Sequence, residues 1–209
     1  MARQTTSTKP QRRRRSDAHR SVQAIRDAAL DALAGDPDAS MAEIARRAGL
    51  VRATIYAHFP TREALLDFVM EYAVSQVAEA TAAAEPARGE PRQALERVLR
   101  ATWKQLGQFH ALLAINTSRL SAEELHRRHQ PVMKHFAPLI EQGQKDGTFR
   151  RDVPVTWHLA AMRAIVHAAS AELRNGRLTE ATVEQTMLTT VLAAMTFDGT
   201  AMEPQRART

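Results

Sequence analysis

Hydrophobic positions recur along this chain at helical spacing, in segments separated by glycine, proline and capping residues. Val22, Ile25, Ala29 and Leu33 form the first such run, and Gly35 followed by Asp36-Pro37 ends it, which predicts a helix over about 17–34. Ser40 precedes Glu43 by three, the arrangement of a capping box, so a short helix is expected over 41–47. Ala48-Gly49-Leu50 breaks it, with Gly49 suited to a positive φ. A third helix is expected over 51–58, closed by Phe59-Pro60. Thr61 then caps a long fourth over 62–83, with Leu65, Val69, Tyr72 and Val77 along one side.

After a connector marked by Pro86, Gly89 and Pro91, the pattern predicts helices over 92–109, 111–118, 122–129, 131–145, 154–174 and 180–196. Their boundaries come from Ser121 with Glu124 as a second capping box, Pro131 in a first turn, Gly147, Pro154, Gly176 and the cap Thr179, and Pro138 is expected to kink its helix. No segment alternates with the period of a strand and no repeat is present, so the fold class is all-α. Residues 1–15, MARQTTSTKPQRRRR, hold no acid and show no period, and are expected to be a disordered basic arm.

Charge changes the picture once it is divided along the chain. Residues 1–62 hold 12 Lys and Arg against 6 Asp and Glu, whereas residues 63–209 hold 17 of each, so the whole net charge of +6 lies in the first third. A localised surplus of this kind is the footprint of polyanion binding; read alone, the run Arg12 to Arg15 is equally a solubilising tail. Other classes find little support. There is no cysteine for a disulfide, a thiolate metal site or a nucleophile. No apolar stretch approaches the roughly 18 residues of a membrane span and no signal-peptide core precedes the first helix, so a cytoplasmic location is expected. Among the eight histidines, His126 and His129 lie one turn apart but flank Arg127 and Arg128, which repel a cation, and no metal site is expected. No Gly-x-Ser-x-Gly, phosphate-cradling glycine loop or His-Glu-x-x-His occurs, so the chain is read as a non-enzyme without a cofactor.

Two short helices joined by a glycine turn, with a third packed across them, form the homeodomain-like helix-turn-helix that places a recognition helix in the DNA major groove. Ile44, Ala45, Ala48, Leu50, Ile55 and Phe59 supply its core, leaving Arg46, Arg47, Arg52, Thr54, Ala57 and His58 outward. Within SMAEIARRAGLVRATIYAHFPTREALL, residues 40–66, the order is a capping Ser, Ile-Ala, Ala-Gly-aliphatic, Ile55-Tyr56, His58-Phe59 and Arg62. This segment resembles the TetR family of transcriptional regulators without a gap, and residues 17–39 resemble it more weakly. Two positions depart from the pattern. Val51 stands where many members carry Ser or Thr at the cap of the recognition helix, and Ala57 replaces a larger side chain.

The resemblance implies that Arg52, Ala53, Thr54 and Tyr56 approach base edges while Ser40, His58 and Arg62 hold the phosphate backbone. Arg52 suits a bidentate pair with guanine. Tyr56 is equally read as half core, His58 as a structural cap, and Arg46 and Arg47 as phosphate contacts or a solvated face. The implied domains are the arm (1–15), the helix-turn-helix domain (16–62) and a helical-bundle domain for effector binding and dimerisation (63–209). The last two helices, with Ala160, Ala161, Ala164, Ala168, Ala169 and Ala171 on one and Met187, Val191, Ala194 and Met195 on the other, would complete a four-helix bundle in a homodimer. The implied function is that of a repressor released from double-stranded, palindromic operator DNA by a small-molecule effector. Candidate effector contacts are Trp103, Phe109, His110, Phe136, Trp157 and His167. The alternative is a helical architectural or recruiting DNA-binding protein without an effector.

Overall fold

In a computed structural model of the protein, residues 9–109, 112, 115 and 119–196 are described. They contain α-helices and one 3-10 turn, with no strand among the described residues. The chain divides into two compact units inside its fourth helix, one ending at Tyr72 and the other beginning at Ala73.

The first unit opens with α1 (Lys9–Gly35), which starts well before the expected residue 17. No glycine or proline interrupts the segment after Pro10, and a proline is tolerated in a helix's first turn, so the ladder runs back through Arg12–Arg15. Residues 1–8 of the expected arm lie outside the described residues. α1 buries Ile25, Ala28, Ala29, Ala32 and Leu33, the i, i+3, i+4, i+7 stripe of an amphipathic helix. α2 (Met41–Arg47) and α3 (Arg52–His58) each have seven residues. Helices so short are unstable alone and depend on packing. That packing comes from Met41, Ile44, Ala45, Ile55 and Phe59, all buried, and a fully buried aliphatic side chain contributes about 1.5–3 kcal/mol. Gly49, at φ 67°, turns the chain between them, and the Leu50 N–H donates to the Ala45 carbonyl at 2.9 Å. α4 (Arg62–Ala83) is capped by Thr61, whose hydroxyl accepts the Ala64 N–H at 3.1 Å. Its first turns belong to this unit: Phe68 stacks at a tilt on Phe59, and Arg26 lies 4.2 Å from the Tyr72 ring centroid.

The second unit contains the end of α4, then α5 (Pro91–Leu106), a 3-10 turn (Gly107–Phe109), α6 (Ala122–Lys145), α7 (Val155–Arg174) and α8 (Glu180–Met195). Pro91 occupies the first turn of α5, and the Glu90 carboxylate caps it by accepting the Arg92 and Gln93 N–H groups. Arg97 holds the preceding loop through the carbonyls of Ala84, Glu85 and Arg88 at 2.9, 2.8 and 2.7 Å. α6 packs on α5 and α7, and α8 packs on α7 and α5.

Two expected boundaries move here. The helix from 92 ends at Leu106 and passes into the 3-10 turn, while the expected helix over 111–118 lies largely outside the described residues. The helices expected over 122–129 and 131–145 are one continuous α6, with Pro131 and Pro138 inside it. An internal proline removes one ladder bond and costs about 3 kcal/mol. Burial of Val132, Phe136, Leu139 and Ile140 along one stripe, at about 1.5–3 kcal/mol each, offsets that cost. Beyond α6 the chain folds back so that the buried Phe149 ring lies against Gly143, and the Arg150 N–H reaches the Met195 carbonyl at 2.9 Å.

Candidate nucleic-acid interface

Ser40 stands immediately before α2 in extended conformation, and its hydroxyl accepts the Glu43 N–H at 3.2 Å. The returning half of the capping box is replaced. Glu43 turns its carboxylate to Arg46 at 2.7 and 2.9 Å and to Arg47 at 2.8 Å, and those guanidinium groups hold its carboxyl down at about 2. Arg47 also reaches Asp31 on α1 at 2.5 Å. Both arginines therefore bridge carboxylates in the free protein. The i+3 and i+4 spacing from Glu43 was visible in sequence; the partner sixteen residues back was not.

α3 begins without a side-chain cap, as Val51 at that position leads one to expect. Replacing a Ser, Thr, Asp or Asn cap costs about 1 kcal/mol, so Val51 makes α3 intrinsically weaker. Ile55 is fully buried and pins one side of the helix. At 3.6 residues per turn, Ala53 and Ala57 then lie about opposite it, with Arg52 and Tyr56 paired one turn apart beside them. Arg52, Ala53, Tyr56 and Ala57 are all exposed, and Thr54 is half-buried. The Arg52 guanidinium lies 5.4 Å from the Tyr56 ring centroid, which holds the cation at the surface beside the phenol. Tyr56 is 37% exposed, so its ring is shared between the unit and solvent.

The expected phosphate contacts are placed differently from one another. His58 is half-buried beside Phe59. Arg62, at the head of α4, donates from Nη2 to the Pro37 carbonyl at 2.5 Å and from Nε to the Ala39 carbonyl at 3.4 Å. It thereby ties α4 to the turn that presents Ser40. These bonds use two of its five N–H groups. Nothing in the local sequence signalled this clamp, because its acceptors are backbone atoms 23 and 25 residues away.

Among the described residues the candidate effector contacts do not gather in one place. Trp103, buried, lines an open groove of about 470 Å³ with Arg100, Lys104, Leu173, Val183 and Glu184. Trp157, 62% exposed, lines a more enclosed cavity of about 160 Å³ with His158, Met162, Val191 and Met195. Phe109 and Phe136 are buried, and His110 lies outside the described residues. His167 on α7 instead meets His129 on α6, Nε2 to Nε2 at 3.2 Å. His129 Nδ1 lies 2.6 Å from the Leu125 carbonyl, which only accepts, so Nδ1 carries the proton and the His129 Nε2 receives the His167 N–H. Burial, then His129, Arg163 and Arg174, push the His167 imidazole down to about 4. This pair had no signal in sequence beyond helical placement.

A glycine-turned pair of short helices with an exposed Arg-Tyr face, downstream of the basic residues 1–15 that carry the chain's positive surplus, is the layout of a helix-turn-helix, DNA-binding transcriptional regulator. The sequence matches the bacterial regulatory proteins of the tetR family over residues 25–69, and the SbtR-like transcriptional regulator C-terminal domain over residues 90–197, just over half the chain. The chain belongs to the TetR family of transcriptional regulators.

Solved structures share its fold. The TetR-like regulator LfrR from Mycobacterium smegmatis, solved in complex with proflavine, is 22% identical, with 84% of this chain and 96% of that one covered at a TM-score of 0.67. A putative tetR family regulator from Shewanella sp. PV-4 is 26% identical, with 84% and 97% covered at 0.63. The fatty acid degradation regulator FadR from Bacillus halodurans is 20% identical, with 82% and 94% covered at 0.66. No curated protein matches the sequence. No helix among the described residues is long and apolar enough to cross a membrane.

Proposed function

We propose that this regulator is a repressor that binds a palindromic operator as a homodimer and leaves it when a small molecule binds the second unit. The observation that carries the DNA half is the face of α3, where Arg52, Ala53, Tyr56 and Ala57 stand exposed around a buried Ile55. In this reading Arg52, Ala53, Thr54 and Tyr56 meet base edges. Ser40, His58 and the remaining donors of Arg62 meet phosphates. α7 and α8 supply the dimer contact, supported by the exposed Trp157, Ala164 and Ala168 on α7 and Ala194 on α8, whereas Ala169, Met187, Val191 and Met195, expected at the same seam, are buried within the protomer; two heads read half-sites in successive major grooves. Residues 1–15, of which 9–15 form the start of α1, add phosphate contacts, so their removal weakens binding to all DNA and flattens the salt dependence. An unchanged salt slope on truncation makes them bystanders.

LfrR, bound to proflavine, supports a small-molecule effector. A second reading, a recruiting or architectural DNA-binding protein with no effector, draws on the size of the Trp157 cavity. At about 160 Å³ it is smaller than the roughly 300–1,000 Å³ of ligand pockets, whereas the open groove at Trp103, about 470 Å³, falls within that range and favours the effector. Selection of bound sites from random DNA, repeated with a panel of small molecules, separates these. A palindrome lost in the presence of one compound supports the effector-released repressor; a palindrome insensitive to every compound supports the second reading; no preferred sequence removes both.

A further inference from the structure

We propose that Val51 is a specificity residue that reads the 5-methyl group of thymine in each half-site. The inference rests on the reading of α3 as the base-contacting helix and names what one part of that face selects. Among the described residues three large hydrophobic side chains are exposed, and two of them, Val51 and Tyr56, lie at this one short helix. Val51 is 71% exposed, in extended conformation immediately before Arg52, and offers no hydrogen bond to the N–H groups that open α3. In the free protein this residue therefore does two unfavourable things: it leaves the helix uncapped and keeps an isopropyl group in water. Covering the isopropyl group on binding would recover the second of these costs.

The surroundings say what covers it. α3 lies within the match to the tetR family of regulatory proteins, so its partner is DNA, and recognition helices enter the major groove with their N-terminal residues at the base edges. In that groove every base edge presents a donor or an acceptor, and thymine alone adds a methyl group. A valine cannot satisfy a donor or an acceptor; against either it leaves a polar edge unpaired. Ala53 and Ala57 leave the outward face of α3 low, which allows the close approach that a methyl contact needs. Arg52, next in sequence, suits guanine, so the half-site should hold a thymine near that guanine.

The test uses the full-length protein and the DNA it selects from a random pool. Each thymine of the selected half-site is replaced in turn by deoxyuridine, which removes the methyl and keeps the pairing. At one thymine position, replacement in a single half-site should weaken binding about fourfold, the value of one buried methyl group, and replacement in both half-sites about fifteenfold. Val51→Ser, which restores a capping hydroxyl and so preserves the helix, should bind the thymine and uracil forms equally at that base pair. The proposal is overturned if no uracil replacement alters the affinity of the native protein, or if Val51→Ser keeps the full discrimination at every thymine. Recovery of no preferred sequence at all would remove base reading by α3 and this assignment with it.

Discussion

Over residues 1–62 twelve basic side chains stand against six acids, while over residues 63–209 seventeen stand against seventeen. The surplus itself lies in residues 1–15, with six basic residues and no acid, while residues 16–62 hold six of each, and among the described side chains the two units share a pattern of paired cations from which Arg52 departs. In the second unit the cations are spent on the protein itself: Arg100 bridges Glu96 and Glu184, Arg150 pairs with Asp152, Arg177 with Glu172, and Arg97 clamps loop carbonyls. In the first unit Arg20 pairs with Asp17, Arg26 with Asp27, Arg46 and Arg47 with Glu43, Arg47 also with Asp31, and Arg62 with backbone carbonyls, while Arg52 lies beside an aromatic ring at the surface. In the proposed reading, function in the first unit is carried by single exposed residues at fixed spacing on a seven-residue helix. Function in the second depends on how long helices close around space, which no spacing states.

This contrast can be broken at either end. The largest effect is expected from Ile55→Ala, which empties a fully buried position in a unit with a small core. The substitution should cost about 2–5 kcal/mol, seen in denaturant unfolding, and abolish DNA binding with it. Retained operator binding would mean that α3 does not depend on this anchor. Gly143→Ala probes the second unit, because an added Cβ runs into the buried Phe149 ring. A loss of about 1–3 kcal/mol is expected in the same measurement, and a neutral result would show that the turn after α6 yields freely.

Smaller and confined to acid is the effect of the His129–His167 contact. The ordinary imidazole value is 6.5 and the folded one about 4, so the unfolded chain binds the extra proton between those limits. Stability from this group is complete above about pH 6.5 and is lost as pH falls toward 4. Thermal melts of His167→Gln against the native protein should show a shallower fall over that window. Parallel pH profiles would mean that the pair titrates as freely in the fold as outside it.

The same contrast explains what could be read from sequence. The first unit was legible because its signals are local: Ser40 three before Glu43, Gly49 at a positive φ, and Ile55 and Phe59 buried where the period placed them. What escaped there involves distant backbone, as in the Arg62 bonds to Pro37 and Ala39, or a distant side chain, as in Arg47 with Asp31. In the second unit a local rule misled at Pro131, where burial along α6 outweighs the proline. The aromatics proposed as one lining are dispersed, Trp103 in one groove and Trp157 in another cavity, since side-chain convergence between helices depends on crossing geometry that periodicity does not encode.

The central claim is that α3 reads bases through Arg52. It is tested most directly by selecting sites from random DNA with the native protein and with Arg52→Ala side by side. The account predicts that the variant loses its preference for one guanine in each half-site, keeps the rest of the motif, and binds the native operator about 1–3 kcal/mol more weakly with random DNA far less affected. An unchanged motif, or an equal loss on operator and random DNA, would contradict it.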